Sequence, residues 1–158
     1  MDISMGVGQS SSLNGAECWR LSLRELDFYW PKLEEALDKE PKLWDGAFTK
    51  ETLREAIEEF RVQVWVLSEG EEIVLAFMTQ SYLPPNGVRR LQVFWVFGQK
   101  LVEYLPLIDM VLDRFAAKLE CGVIEGQGRR GFERLVRPLG YEFEYVTYSR
   151  PVRASKGN

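Results

Sequence analysis

The chain contains no histidine, and this absence restricts the chemistry that its other residues could perform. Histidine is the commonest general base and zinc ligand, and it completes the Ser-His-Asp type of triad. Any catalysis would therefore depend on carboxylates, tyrosines, cysteines or backbone dipoles. The two cysteines, Cys18 and Cys121, are far apart in the chain and lack metal-ligand spacing. We expect no metal site and predict that both are reduced, buried, structural thiols, because no histidine can activate Cys121 as a nucleophile.

Two groups of side chains are candidates for contact with a partner. Arg130, Arg134 and Arg137 recur at steps of three and four, so one face of a helix would present them together. They could bind phosphate or an acidic partner, or form an ordinary solvated face. Trp30 and Trp44 could belong to an exposed aromatic contact surface, because aromatic residues are enriched at interfaces. Packing in the core is the alternative for these tryptophans.

Composition narrows the classes of protein to be considered. A chain of 158 residues with 46% hydrophobic residues can bury the core of one globular domain. A net charge of −4 and a pI of about 5.1 argue against a nucleic-acid partner, which normally requires a basic face. No apolar run approaches the ~20 residues that a membrane-spanning helix requires. No signal-peptide pattern is visible at the N-terminus, so we expect a cytosolic product with no membrane partner.

Hydrophobic periodicity predicts a regular alternation of elements between two tails. Residues 1–16 are rich in Gly and Ser and are predicted to form a flexible tail, followed by a single domain over 17–152 and a polar tail over 153–158. The predicted elements, in chain order, are a strand Glu17–Leu21, a helix Arg24–Lys39, a helix capped by Thr49, strands Val62–Leu67, Ile73–Tyr82 and Arg90–Phe97, a helix Leu105–Leu119, a strand Val123–Gly128, a short helix Arg129–Leu139 and a strand Gly140–Tyr148.

This order predicts an α+β fold. Three strands separated by turns form an antiparallel meander, and the long helix then provides a crossover to a strand that pairs in parallel. We expect about four helices to flank this mixed sheet. The third meander strand is nearly all apolar after Gln92, which is typical of a strand buried on both faces. Phe132 and Leu135 are predicted to pack the short helix onto the sheet.

The order and the local sequence resemble the GNAT acetyltransferase fold, and within it the small acetyltransferase-like proteins of tailed bacteriophages. The resemblance covers residues 17–152. The residues that carry it are Gln63–Val66, Met78–Thr79, Val96–Gly98, Cys121–Gly126, Arg129–Leu135 and Leu139–Tyr141. The resemblance implies a protein that binds acyl-CoA between the third meander strand and the parallel strand after it.

The chain departs from this family in the turn expected to hold the CoA pyrophosphate. Family members have two or three glycines there, with backbone N–H groups and a helix N-terminus that bind phosphate. Here only Gly98 is present, Lys100 is the nearby cation and Glu103 adds a negative charge. Gly98, Gln99 and Lys100 are therefore candidates for cofactor binding, with a plain strand-to-helix loop as the alternative.

The acid–base residues of the family are also missing. Val136 stands where many members have a tyrosine that protonates the departing thiolate, and valine cannot donate a proton. The strand Leu91–Phe97 has no acidic residue. Glu125 on the next strand is the nearest candidate for a general base, acting through water, and a salt-bridged carboxylate at the end of a strand is the alternative.

Two interpretations of function follow from the resemblance and its departures. The first is a non-catalytic bacteriophage protein with no cofactor, which acts by contact with other phage structural or assembly proteins. It would occur in the host cytoplasm during assembly and in the virion, in several copies around a symmetric particle. The second is an acetyl-CoA-dependent N-acetyltransferase with a divergent pyrophosphate turn.

Overall fold

The computed structural model describes residues 11–39, 48–127, 133–144, 148 and 150–153. The chain divides into two compact units, residues 1–128 and residues 129–158, which we describe separately. Three residues singled out above, Trp44, Arg130 and Phe132, lie outside the described ranges.

The described part of the first unit contains six strands and three helices. These are β1 (Ser11–Leu13), β2 (Ala16–Arg20), α1 (Leu23–Leu37), α2 (Lys50–Glu58), β3 (Val62–Glu69), β4 (Glu72–Tyr82), β5 (Arg90–Gly98), α3 (Leu101–Lys118) and β6 (Val123–Gly126).

The six strands form one mixed sheet whose order, β1-β2-β3-β4-β5-β6, is the order of the chain. Strands β1 to β5 are antiparallel to their neighbours. After β5, helix α3 crosses over and β6 pairs with β5 in parallel, with Arg90 opposite Val123 and Val93 opposite Gly126. The predicted α+β mixed sheet, with a meander followed by a helical crossover, is confirmed.

Local sequence signals explain where the helices begin. Ser22 caps α1: its hydroxyl accepts from the Glu25 N–H, and the Glu25 carboxylate accepts from the Ser22 N–H at 3.0 Å. Thr49 caps α2, as predicted. Pro31 lies inside α1, and α3 begins four residues before the predicted Leu105. None of the described helices is long and apolar enough to cross a membrane.

The sheet separates two hydrophobic cores. Helix α3 covers one face, where Phe115 meets the buried Trp65 edge to face with ring centroids 5.1 Å apart. Helices α1 and α2 cover the other face, where Leu26, Leu53 and Met78 are almost completely buried. The sheet is therefore packed on both sides, and its side chains alternate between the two helical layers.

The predicted flexible tail is wrong for residues 11–16, which belong to the sheet. β1 and β2 form a hairpin in which Ser11 pairs with Cys18, and Ala16 is fully buried. The turn is Asn14-Gly15, with φ of 53° and 82°, the positive values that a two-residue hairpin turn requires. Residues 1–10 lie outside the described part of the chain.

The prediction that β5 is buried on both faces is confirmed in part, because its side chains pack against the cores on both faces of the sheet. Leu91 is buried in the core under α3 and Trp95 in the core under α1 and α2, while the other residues of the strand are half-buried or exposed. The pairing with β4 skips Phe94: Met78 is opposite Trp95 and Thr79 is opposite Val93. This extra residue is a β-bulge, and it changes which face of the sheet the following side chains occupy.

The second unit departs from the prediction at three places. The described helix α4 spans Glu133–Val136 and gives way to a 3-10 turn at Arg137–Leu139, since the residue before a proline disfavours the α conformation. Leu135 is 37% exposed, so the prediction that it is a core residue is wrong. Residues 141–144 are not in a strand, and 145–147 of the predicted last strand lie outside the described residues.

Candidate functional site

The carboxyl-terminal half of β5 has no partner on its β6 side in the described part of the chain. The parallel pairing ends at Val93 and Gly126, and one further backbone hydrogen bond joins the Gln127 N–H to the Val93 carbonyl at 3.2 Å. β5 continues to Gly98. We call Phe94–Gly98 the unpaired edge of β5. A strand edge of this kind presents N–H and C=O groups to any extended molecule beside it.

The turn after this edge is packed against the sheet. Gly98 has φ of 128°, and a Cβ there would lie 2.4 Å from the Val74 carbonyl oxygen. The Gln99 N–H donates to the same carbonyl at 2.9 Å. Gly98 is therefore required by its close approach to β4, and the Gln99 N–H already has an acceptor. Of the three predicted cofactor-binding residues, Lys100 is the one whose side chain carries a positive charge.

Lys100 belongs to a group of three residues that we call the Glu69 cluster: Glu69, Lys100 and Tyr104. The Lys100 Nζ lies 2.7 Å from one carboxylate oxygen of Glu69 and 3.0 Å from the other. The Tyr104 hydroxyl donates to the same carboxylate. Lys100 directly precedes α3 with φ of 63°. The cluster thus holds a carboxylate between Lys100, the residue before α3, and Tyr104 in its first turn.

The contacts of the Glu69 cluster shift the titration of all three groups. Hydrogen bonds from Lys100 and Tyr104 lower the pKa of Glu69. The hydrogen bond to Glu69 raises the pKa of Lys100 and raises the pKa of Tyr104 to about 12. Near neutral pH, Glu69 is therefore anionic and Lys100 cationic, and their charges offset each other.

A second carboxylate lies where β5 and β6 still pair. We call Glu125, Tyr82, Arg90 and Gln92 the Glu125 cluster. Glu125 accepts from Arg90 Nε at 2.6 Å, from Gln92 Nε2 at 3.0 Å and from the Tyr82 hydroxyl. The Gln92 side-chain oxygen in turn accepts from Gln80 on β4 at 2.8 Å. The network therefore joins β4, β5 and β6. It lies on the same face of the sheet as the core formed with α1 and α2.

These contacts make Glu125 a poor general base. Burial alone would raise the pKa of Glu125, but hydrogen bonds from Tyr82, Arg90 and Gln92 bring the pKa below its ordinary value. The side chains of Glu125 and Arg90 are each 17% exposed. A carboxylate that is already ionised and bound to three donors has little tendency to accept a proton. The salt-bridged alternative considered for Glu125 is the one that this geometry supports.

The remaining candidate residues do not join either cluster. Trp30 is half-buried, with the Arg54 guanidinium over its ring at 5.0 Å. Arg134 is exposed on α4. Cys18 is buried as predicted, whereas Cys121 is partly exposed, and burial raises the pKa of both thiols. Neither thiol is therefore activated as a nucleophile, since the thiolate is the reactive form.

No metal site is formed by the described residues, which contain no group of three or more Cys, Asp or Glu side chains able to hold an ion.

Sequence reasoning missed Glu69, Tyr104, Tyr82 and Arg90. Glu69 and Lys100 are 31 residues apart, and Tyr82 and Glu125 are 43 apart. Their only local signal is alternation, since Arg90 and Gln92 are two residues apart on a strand and must share a face.

Comparison with known proteins finds solved structures with a similar fold. No family model and no curated protein sequence matches the chain. Among solved structures, an aminoglycoside acetyltransferase HMB0005 from an uncultured soil metagenomic sample has a TM-score of 0.64 at 18% identity, with 87% of this chain and 99% of that chain covered. The ribosomal-protein-alanine N-acetyltransferase of Brucella melitensis biovar Abortus 2308 has a TM-score of 0.60 at 14% identity, over 87% and 99%.

A plant enzyme also has a similar fold. Glucosamine-6-phosphate N-acetyltransferase from Arabidopsis thaliana matches with a TM-score of 0.60 at 12% identity, again over 87% of this chain and 99% of that chain. At such identities the likeness shows the fold alone. The chain therefore has the GNAT acetyltransferase fold, and nothing in these comparisons connects it with a bacteriophage.

Proposed function

We propose that this protein is an acetyl-CoA-dependent N-acetyltransferase whose acyl donor lies along the unpaired edge of β5. The observation that carries the proposal is the end of the β5–β6 pairing at Val93, within a fold shared with acetyltransferases that act on different amines. β5 continues to Gly98 beyond its last described partner on β6, so in the described part of the chain the backbone groups of Phe94–Gly98 have no strand beside them on that side. The pantetheine arm of acetyl-CoA has two amides, so it can pair with a strand edge as an extended chain does.

The residues present fit the two parts of acetyl-CoA unequally. The unpaired edge of β5 suits the pantetheine arm and the thioester. The diphosphate would reach the start of α3, where the Gln99 N–H is already bonded and Lys100 is paired with Glu69. The fit is good for the thioester end and poor for the nucleotide end, which predicts weak binding of the donor by the free protein.

The chemistry that these residues support is direct transfer. The acceptor nitrogen would attack the thioester carbonyl carbon and the C–S bond would break, with the sulfur leaving as a thiolate and the proton lost by the nitrogen passing through water to that thiolate. Backbone N–H groups on the unpaired edge would stabilise the negative charge that develops on the carbonyl oxygen. Glu125 is engaged with three donors, and Val136 cannot protonate the thiolate. The acceptor amine must therefore arrive neutral, and the rate should rise with pH as that amine loses its proton.

Hydrogen exchange with and without acetyl-CoA tests the proposal directly. Acetyl-CoA should slow amide exchange in Phe94–Gly98, while Val64–Leu67 in the centre of the sheet should be unchanged. Titration calorimetry gives the affinity of the same sample. No heat and no protection at millimolar acetyl-CoA, about −4 kcal/mol or weaker, would contradict the proposal.

A second candidate is a GNAT-fold protein without catalysis that acts by contact with other proteins. The Glu69 cluster favours it, because a carboxylate already lies at the position that resemblance assigns to phosphate. The exposed Phe28 on α1, 78% accessible, would suit a contact surface. A role in a bacteriophage particle, with phage structural or assembly proteins as partners, rests on the sequence resemblance. Purification of the endogenous protein with such partners, and without acetyl-CoA binding, would favour this candidate.

A further inference from the structure

The start of α3 is occupied by an anion that belongs to the protein itself. Glu69 is the last residue of β3, and both of its carboxylate oxygens contact the Lys100 Nζ, at 2.7 and 3.0 Å. The Tyr104 hydroxyl supplies a further donor. A cation, a hydroxyl donor and the first N–H groups of a helix together form the kind of environment in which phosphate binds.

We propose that Glu69 is an internal competitor of the donor's diphosphate: the free protein holds the Glu69 carboxylate on Lys100, and donor binding requires Lys100 to exchange Glu69 for phosphate. This inference rests on the proposed function and concerns the regulation of the same site. It makes Glu69 a residue that sets how much the nucleotide end of the donor contributes to affinity.

The exposure of the pair makes this exchange feasible. The side chains of Lys100 and Glu69 are 46% and 32% exposed, so water can solvate both when they separate. Exposed ion pairs contribute little to stability, and their partners can be replaced at low cost. Tyr104 is only 3% exposed, so its ring is fixed by packing. Its hydroxyl therefore stays in place to donate to whichever anion occupies the position.

The positive charge of Lys100 favours phosphate binding, whereas the negative charge of Glu69 opposes it. A diphosphate carries more negative charge than one carboxylate and forms stronger charge-assisted hydrogen bonds with an ammonium group. After the exchange, however, Glu69 remains at the end of β3 as a like charge. Removal of the Glu69 charge should therefore increase the affinity only of ligands that carry phosphate.

Two probes separate this effect from a general change in the site: acetyl-CoA and S-acetylpantetheine, which has the same thioester arm and no phosphate. Glu69→Gln should tighten acetyl-CoA by roughly three- to tenfold and leave S-acetylpantetheine within about twofold. Glu71→Gln, in the turn that follows Glu69, makes the same change in net charge and is the matched control; it should change neither affinity by more than about twofold. Lys100→Gln added to Glu69→Gln should cancel the gain.

The outcomes distinguish this inference from the proposed function. If the wild-type protein binds acetyl-CoA and Glu69→Gln leaves that affinity unchanged, or tightens both probes equally, the competitor role of Glu69 is wrong and the acetyltransferase proposal stands. If neither probe binds the wild-type protein or Glu69→Gln, with circular dichroism showing both to be folded, both proposals are wrong. A gain restricted to acetyl-CoA and lost with Lys100→Gln supports both.

Discussion

The Glu69 cluster and the Glu125 cluster are built from the same kinds of groups in different surroundings. Each has one carboxylate, one cation and one tyrosine hydroxyl. In the Glu69 cluster the ion pair is at the end of the sheet, with side chains 46% and 32% exposed. In the Glu125 cluster both charged side chains are 17% exposed and a glutamine joins them to a third strand.

This difference in exposure predicts different roles. The Glu125 network connects β4, β5 and β6, and each donor in it would lose a charged acceptor if the carboxylate were removed. The Glu69 pair has water as an alternative partner. The same chemical groups therefore serve a structural role in the less exposed cluster and are available for exchange in the more exposed one.

The largest expected effect comes from the turn that positions Lys100. Gly98→Ala places a Cβ against the Val74 carbonyl at a φ of 128°, so we expect a loss of about 2–4 kcal/mol in the free energy of unfolding. Urea denaturation measures it. Gly126→Ala is the control, because no atom lies within 4 Å of a Cβ there, and it should stay within about 0.5 kcal/mol of wild type. Equal losses for the two variants would contradict the close packing of Gly98.

The next effect compares the clusters directly. Glu125→Ala leaves Arg90 and Gln92 with a lost acceptor in a mostly buried setting, so we expect a loss of about 1–3 kcal/mol in the free energy of unfolding. Glu69→Ala should cause a smaller loss, since Lys100 can turn to water. If Glu69→Ala proved the more destabilising of the two, the assignment of structural and exchangeable roles would have to be reversed.

The pH dependence of stability sharpens the comparison further. The pKa of Glu125 is lower in the folded protein than in the unfolded chain, so its contribution is complete above the unfolded value of about 4.3 and is lost as the pH falls through the folded value. The stability difference between wild type and Glu125→Gln should be constant from about pH 5 to 7 and shrink below about pH 4. Denaturation at several pH values measures this stability difference. A difference that increased at acidic pH would contradict a lowered pKa of Glu125.

The smallest expected effect is a change in titration without a change in fold. The hydrogen bond to Glu69 is the main reason that the pKa of Tyr104 is raised to about 12, so Glu69→Gln should bring the pKa of Tyr104 down toward its usual value of about 10. Carbon-13 NMR of the tyrosine ring follows this titration. Glu71→Gln should leave the pKa of Tyr104 unchanged; a fall in that variant would point to a general charge effect.

Sequence periodicity predicted the order of elements well, because each depends on local spacing. The long apolar stripe of α3 and the cap at Thr49 are examples. The hairpin at Asn14-Gly15 was missed although Asn-Gly is a strong local turn signal, since the Gly and Ser content around it resembled a tail.

In β5 the sequence predicted apolar contacts on both faces but not the bulge. The run Val93–Phe97 is continuously apolar, which usually indicates a strand buried on both faces. In the structure the bulge at Phe94 shifts the alternation, so that Gln92 before it and Trp95 after it occupy the same face. The run reflects packing against both cores together with a change of phase within the strand. Only the register with β4 reveals it.

The candidate site was the least predictable part, because its partners come from distant segments. The sequence singled out Glu125 and Lys100, but nothing local indicates that Arg90 or Glu69 neutralises them. Such pairs depend on the sheet register, which fixes which strand ends meet.

The identity of sheet order and chain order has a consequence for how the molecule is made. During synthesis each strand from β2 onward emerges when the strand that it pairs with has already left the ribosome, so the sheet can grow from one edge in the order of translation. Two of these pairs have helices between their strands: α1 and α2 lie between β2 and β3, and α3 lies between β5 and β6. The β5–β6 pair is thus the last part of the described sheet to form, and a nascent chain paused within α3 would display all of β5 as a free edge.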